Sequence, residues 1–249
     1  MISRRRLIAS SASAIACGSA IGVVGSQMLS LQASLRAIGA GKSMLVLVDT
    51  GSERVLFVLG EPNEGLLRNA AGISTIGNQR IDVLVATHLV LASRAARESL
   101  PLESAHTLCL QSDMTLPPIQ GVNDVVMDHA TLGLGDRMQL SVWIDESARD
   151  EDALNQPSFS VGVARGKVSA VLLGSAKAKM PPSHSSPDVL VVPDAANADL
   201  TGKVSPSLLI CNEGKRAVPV NQMQVFWNDP IRVELGTESI SYRRDQLWS

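Results

Sequence analysis

About a dozen short runs of branched aliphatic residues, each bounded by Gly, Pro, Asn, Asp or Ser, recur between residues 44 and 243 and limit what this chain can become. Runs of that length and composition form buried strands. Met44–Val48 and Arg54–Leu59 are separated by Asp49-Thr50-Gly51-Ser52-Glu53, whose Asp and Gly mark a hairpin turn. Ile81–Ala86, His106–Leu110, Val122–Met127, Thr131–Leu134, Met138–Ile144, Phe159–Ala164 and Val168–Leu173 continue the series. Asp188–Val192, Ser207–Cys211, Ile231–Leu235 and Ser239–Arg243 complete it. Glu64–Ala71, entered from Pro62-Asn63, and Leu89–Leu100 read as helices. That mixture predicts two sheets packed face to face and covered by helices, in one domain over 40–249.

Composition narrows the class without naming a function. Of 249 residues, 45% are hydrophobic and 18% charged, which excludes general disorder. The formal net charge is −2, and without Arg4, Arg5 and Arg6 the remainder carries −5. A mildly acidic body lacks the electrostatic footprint of a nucleic-acid binder. No solenoid-period repeat is present. Asp145–Gln156 and Lys177–Pro187 read as exposed loops, the second rich in Pro and Ser.

Residues 1–35 read as an address or an anchor. Three consecutive arginines are followed by a charge-free stretch from Leu7 to Leu35. A basic start before a moderately apolar run is the pattern of an export signal. Ser3-Arg4-Arg5-Arg6-Leu7-Ile8 resembles the twin-arginine pattern, with Arg4 and Arg5 as the pair. The run is also long enough to span a bilayer with its arginines on the cytoplasmic side. Signal and anchor both stay open, and both place the body in the periplasm or on the outer face of the cytoplasmic membrane. Cys17, after Ala14-Ile15-Ala16, reads as an ordinary small residue of this run. Cys109 and Cys211 each lie in an apolar run, and export would permit a disulfide between them. Two buried free thiols on separate strands are the preferred reading.

The segment from Ile81 to Ser93 bears most directly on chemistry. Its strand ends in Thr87-His88 and continues with Val90, Ala92 and Ser93. This resembles the strand and Thr-His of the metallo-β-lactamase-like hydrolases, where H-x-H-x-D-H supplies most ligands of a two-zinc centre. Further landmarks follow in order and resemble one branch, the soluble domain of DNA-internalisation competence proteins and its stand-alone relatives. Gly41 to Pro62 is similar to its opening hairpin, with Leu59 where an Asp would stand. Leu66-Leu67-Arg68 matches the following helix, and Asn155-Gln-Pro-Ser158 resembles N-x-x-S. Leu172-Leu173-Gly174-Ser175 resembles L-L-x-G-D, with Ser175 replacing the metal-bridging Asp. Asp188-Val-Leu-Val-Val-Pro193-Asp194-Ala195-Ala196 resembles D-V-L-x-V-P-H-H-G without its histidines. Val204-Ser-Pro-Ser-Leu-Leu-Ile matches the late strand.

The resemblance implies an α+β fold, a four-layer αββα sandwich, preceded by the signal or anchor segment. It also implies that the reaction is gone. Val and Ala offer zinc no lone pair, and a neutral Ser is a poor ligand. The ligand frame, Leu59, His88, Val90, Ala92, Ser93, Ser175 and Asp194, therefore keeps one usual ligand in place, His88. No catalytic residue, metal or cofactor is expected, and the expected partner is an unidentified protein of the cell envelope. The competing reading is a phosphoesterase- or nuclease-type hydrolase with a relocated site. Asp194, Ser175 and His88 would be brought together by the family scaffold, and a vestigial hydrogen-bonded cluster is the preferred reading of that trio. His106 and Cys109, three apart on one strand, point to opposite faces. His129 beside Asp128 reads as a turn residue and His184 as a solvated one.

Overall fold

The computed structural model describes residues 33–61, 63–67, 81–94, 98, 106–111, 116–135, 137–145, 158–175, 178–181, 184, 186–194, 204–213, 221–224 and 230–244. In chain order the strands begin β1 (Ser34–Ala40), β2 (Ser43–Asp49), β3 (Arg54–Gly60), β4 (Val83–Thr87), β5 (His106–Leu110) and β6 (Asp124–Val126). Next come β7 (His129–Leu134), β8 (Met138–Asp145), β9 (Ser158–Arg165), β10 (Val168–Leu173) and β11 (Val189–Asp194). The chain then adds β12 (Leu208–Glu213), β13 (Asn221–Gln224), β14 (Ile231–Leu235) and β15 (Ile240–Arg244). An eight-stranded sheet has the order β15-β14-β1-β2-β3-β4-β5-β6, and a seven-stranded sheet the order β13-β12-β11-β10-β9-β8-β7. Both are mixed: β1–β2–β3 and β7–β8–β9–β10 are antiparallel, β3–β4–β5–β6 and β10–β11–β12–β13 parallel.

The expected four-layer αββα sandwich is overturned. Among the described residues the fold is nearly all β, with 59% strand and 8% helix, the helix in short pieces. Of the segment Glu64–Ala71, residues 64–67 are helical (α1), started by Asn63, whose Oδ1 accepts the Leu66 N–H at 3.0 Å. Of Leu89–Leu100, the helix α2 is His88–Ala92, capped by Thr87 and ended by extended backbone at Ser93; Arg94 and Glu98 are again helical, and 95–97, 99 and 100 lie outside the described residues. Five residues make a rod about 7.5 Å long, whereas eight strands span roughly 34 Å, so such a helix patches a sheet and cannot form a layer on it. No helix among the described residues is long and apolar enough to cross a membrane. The segment 1–32 lies outside the described residues.

The hairpin turn at Asp49–Glu53 is found as expected. Asp49 Oδ1 accepts the Gly51 N–H at 2.7 Å, Gly51 takes φ +86°, and Arg54 pairs with Asp49 at 2.9 Å. Strand β1 lies upstream of the first expected strand and is central in its sheet, between β14 and β2. Its Leu35 and Ala37 are fully buried.

Alternate residues of β1, β2, β3 and β14 face β9, β10, β11 and β12 and form the main core, with Val46, Phe57, Val161 and Val191 all fully buried or nearly so. A second small cluster, Val171, Leu173, Leu190, Val192 and Leu209, covers the other face of the seven-stranded sheet. The two sheets are pinned by Asn212 of β12, which is buried and donates through Nδ2 to the Ser43 carbonyl. Its side chain occupies the place where a Cβ on Gly39 would fall, so β1 needs Gly at that point. Cys109 on β5 and Cys211 on β12 are buried free thiols in different sheets.

Candidate functional site

The positions of the ligand frame fall at the carboxyl ends of four strands, β3, β4, β10 and β11. Three of those ends meet. The Gly60 N–H after Leu59 donates to the Gly174 carbonyl at 2.8 Å, a backbone bond between the two sheets. Gly60 sits at φ +78°, and a Cβ there would lie 1.9 Å from the Lys42 carbonyl oxygen and 3.3 Å from Pro193 Cβ. Only Gly allows that approach. Gly174 in turn donates to the Phe159 carbonyl at 2.8 Å, with the Phe159 ring filling the space beside its Cα.

Leu59, in the position where the resemblance would put an Asp, is fully buried in the core between the sheets. Ser175 hydrogen-bonds Ser158 at 3.1 Å, Oγ to Oγ, so two aligned landmarks meet as a neutral hydroxyl pair. Asp194 closes β11 opposite Glu213 of β12 in the parallel register.

The fourth end goes elsewhere. His88 is 6% exposed, and its Nε2 bonds the Pro117 carbonyl at 3.0 Å. A carbonyl only accepts, so Nε2 carries the proton and Nδ1 is the acceptor of the neutral ring. Val90 is fully buried, Ala92 is exposed, and Ser93 donates its N–H to the Val90 carbonyl at 3.0 Å. The trio Asp194, Ser175 and His88 is therefore not bonded as a catalytic set: Ser175 is engaged by Ser158 and His88 by Pro117. Two zinc ions need about five or six N, O or S ligands converging on them. Leu59 and Val90 offer none, and His88 is turned to Pro117, so these residues do not fit such a centre. Among the described residues no three His, Cys, Asp or Glu side chains gather as a metal ion would require.

His88 instead lines a cavity of about 420 Å³ with Cys109, Gln111, Pro117, Asn123, Asp124 and several apolar residues. Cys, His and Asn in one cavity invite a nucleophile reading. The Cys109 thiol donates to Gln111 Oε1 at 3.8 Å, and burial pushes its pKa up to about 11. A thiol that stays protonated at neutral pH is a poor nucleophile.

The remaining histidines are placed differently from expectation in two cases. His129 opens β7 and stacks on Trp143 with ring centres 5.3 Å apart. His184 is half-buried, meets Trp143 edge-on with ring centres 5.9 Å apart and is seated over Gly162, and burial lowers its pKa. A Cβ at Gly162 would strike that ring, so the Gly is the sequence signal for the seat. His106 begins β5 and is exposed, apart from buried Cys109. The cavity residues Gln111 and Asn123 carry no sequence signal. Leu116-Pro117-Pro118 reads as a chain breaker, which hides that Pro117 orients His88.

No protein-family profile matches the chain, and no curated protein matches it. Among solved structures the chain is similar to the metallo-β-lactamase fold protein YhfI from Bacillus subtilis, at a TM-score of 0.45 and 9% identity, covering 72% of this chain and 85% of that one. That likeness is one of overall course, and no residue role is taken from it.

Proposed function

We propose that this protein is an exported or membrane-anchored binding module, a metallo-β-lactamase-like protein that resembles the competence-protein branch and has lost the catalytic centre. One observation carries the reading: the strand ends that would converge on metal are joined by the Gly60–Gly174 backbone bond and backed by buried Leu59. Fold and chemistry separate readily, so a retained scaffold with apolar residues in ligand positions fits a protein that binds and does not react. The arginines at Arg4 and Arg5 and the charge-free run after them support export or anchoring, with a partner in the cell envelope.

The test is metal content of the purified full chain, prepared without chelator and offered zinc and manganese, alongside hydrolysis of a phosphodiester. The expected result is no stoichiometric metal and no hydrolysis. One or two tightly held ions with hydrolysis abolished in His88→Ala would overturn it and favour the relocated hydrolase.

A further inference from the structure

We infer that the cavity at the carboxyl ends of β4 and β5, beside the start of β6, is a binding site for a small neutral ligand that carries a carboxamide on an apolar body. The three strands run parallel and side by side, and the segment from Leu116 to Val125 that enters β6 folds over the ends of β4 and β5 to leave a concavity. At about 420 Å³ it is the size of a small-molecule pocket. The inference gives the proposed binding module its ligand class, and rests on that reading.

Three polar groups set the ligand's chemistry. Gln111 is 8% exposed, its Oε1 is taken by the Cys109 thiol, and its Nε2 has no acceptor among the described residues. An amide nitrogen on a cavity wall without a protein acceptor is open to a ligand oxygen. His88 is locked by Pro117, which leaves Nδ1 to accept. Among the described residues of the lining Asp124 is the one charged side chain, so an anion is disfavoured beside it. A carboxamide answers this set: its carbonyl accepts from Gln111 and its N–H groups are donors for the acceptors. The apolar body has Leu116, Ile119 and Val125 to lie against. Val125 is 49% exposed on the three-residue edge strand β6, a large apolar side chain that a bound ring would cover.

The Cys109 thiol is held protonated by its burial, so the cavity binds without attacking what it holds.

The test titrates the full chain with benzamide, benzoate and benzamidinium, followed by ligand-observed and protein-observed NMR. Benzamide is expected to bind about tenfold more tightly than either charged isostere. Gln111→Glu keeps the shape and the acceptor for Cys109 while removing the N–H donors, and should weaken benzamide about tenfold. Val125→Arg, on the exposed rim, tests location without touching the core and should raise benzoate relative to benzamide. Equal binding of all three probes, tighter binding of benzamidinium, no binding, or indifference to both variants would overturn the assignment. Recovery of benzoate from benzamide would leave the site standing and instead overturn the non-catalytic reading.

Discussion

Strands β3 and β5 belong to one sheet and point the same way, yet their carboxyl ends have opposite surroundings. At β3 the chain passes through Gly60 straight into a backbone bond with Gly174 of the other sheet, over buried Leu59. At β5 it passes through Gln111 into a polar cavity roofed by the loop around Pro117 and Pro118. The difference follows from what lies opposite. Strands β1, β2 and β3 touch β11 and β12, and an end pressed between two sheets must be apolar and self-bonded. The described end of β5 instead opens on the cavity and can keep polar groups that face solvent or a ligand. In this protein the polar cavity lies at the end of β5, not at the end of β3 that bonds the other sheet.

The sharpest way to break that contrast is to restore charge at the closed end. Leu59→Asp would bury a carboxylate without a cation beside it and should cost about 4 kcal/mol, read by urea denaturation. If the variant is as stable as the parent and binds zinc, the closed end is still a ligand site. Gly60→Ala should cost about 3 kcal/mol in the same measurement, since a side chain there combines positive φ with a clash against the backbone of Lys42. At the open end, Gln111→Leu should stay within about 1 kcal/mol; a larger loss would place Gln111 among the structural bonds and blur the contrast.

Two pH measurements sharpen it further. Burial raises the Cys109 pKa from 9.0 to about 11, so the folded state holds this proton more tightly than the unfolded one. Its contribution is whole below pH 9.0 and is lost as the pH rises towards about 11. Denaturation midpoints should fall across that window, and Cys109→Ala should flatten the fall. His184 has the opposite sign. Burial lowers its pKa, so the stability it contributes is present above its ordinary value of 6.5 and declines as the pH falls through its lowered one. The effect should be the smallest of these, seen as a change in Trp143 fluorescence in a chain with Trp227→Phe and Trp248→Phe, and absent in His184→Gln.

The strand series and the Asp49–Glu53 hairpin were legible because alternation and turn chemistry are local. Strand β1 was not. Ser34-Leu-Arg-Ala-Ile-Gly-Ala mixes an Arg and small residues at the tail of a charge-free run, and only its neighbours β2 and β14 make it a strand. Polar β13, Asn-Gln-Met-Gln, was missed because it pairs along the edge of β12. The helix over Leu89–Leu100 was read as continuous because Leu, Arg and Ala favour helix, whereas extended backbone at Ser93 ends α2 after five residues. At the candidate site, that Leu59 and Val90 offer no ligand atom was visible in the residue types. The direction of His88 was not, since its partner Pro117 lies 29 residues away.

The place of β1 also sets a timetable. It is among the earliest strands made, yet one of its two edges pairs with β14, which ends at Leu235. Until the last part of the chain has emerged, β1 presents an open row of backbone donors and acceptors, the kind of edge on which another chain can add. A nascent chain stopped before residue 231 would therefore hold most of its core and still be unable to seal it. Assembly of the eight-stranded sheet waits for the strands that follow residue 230.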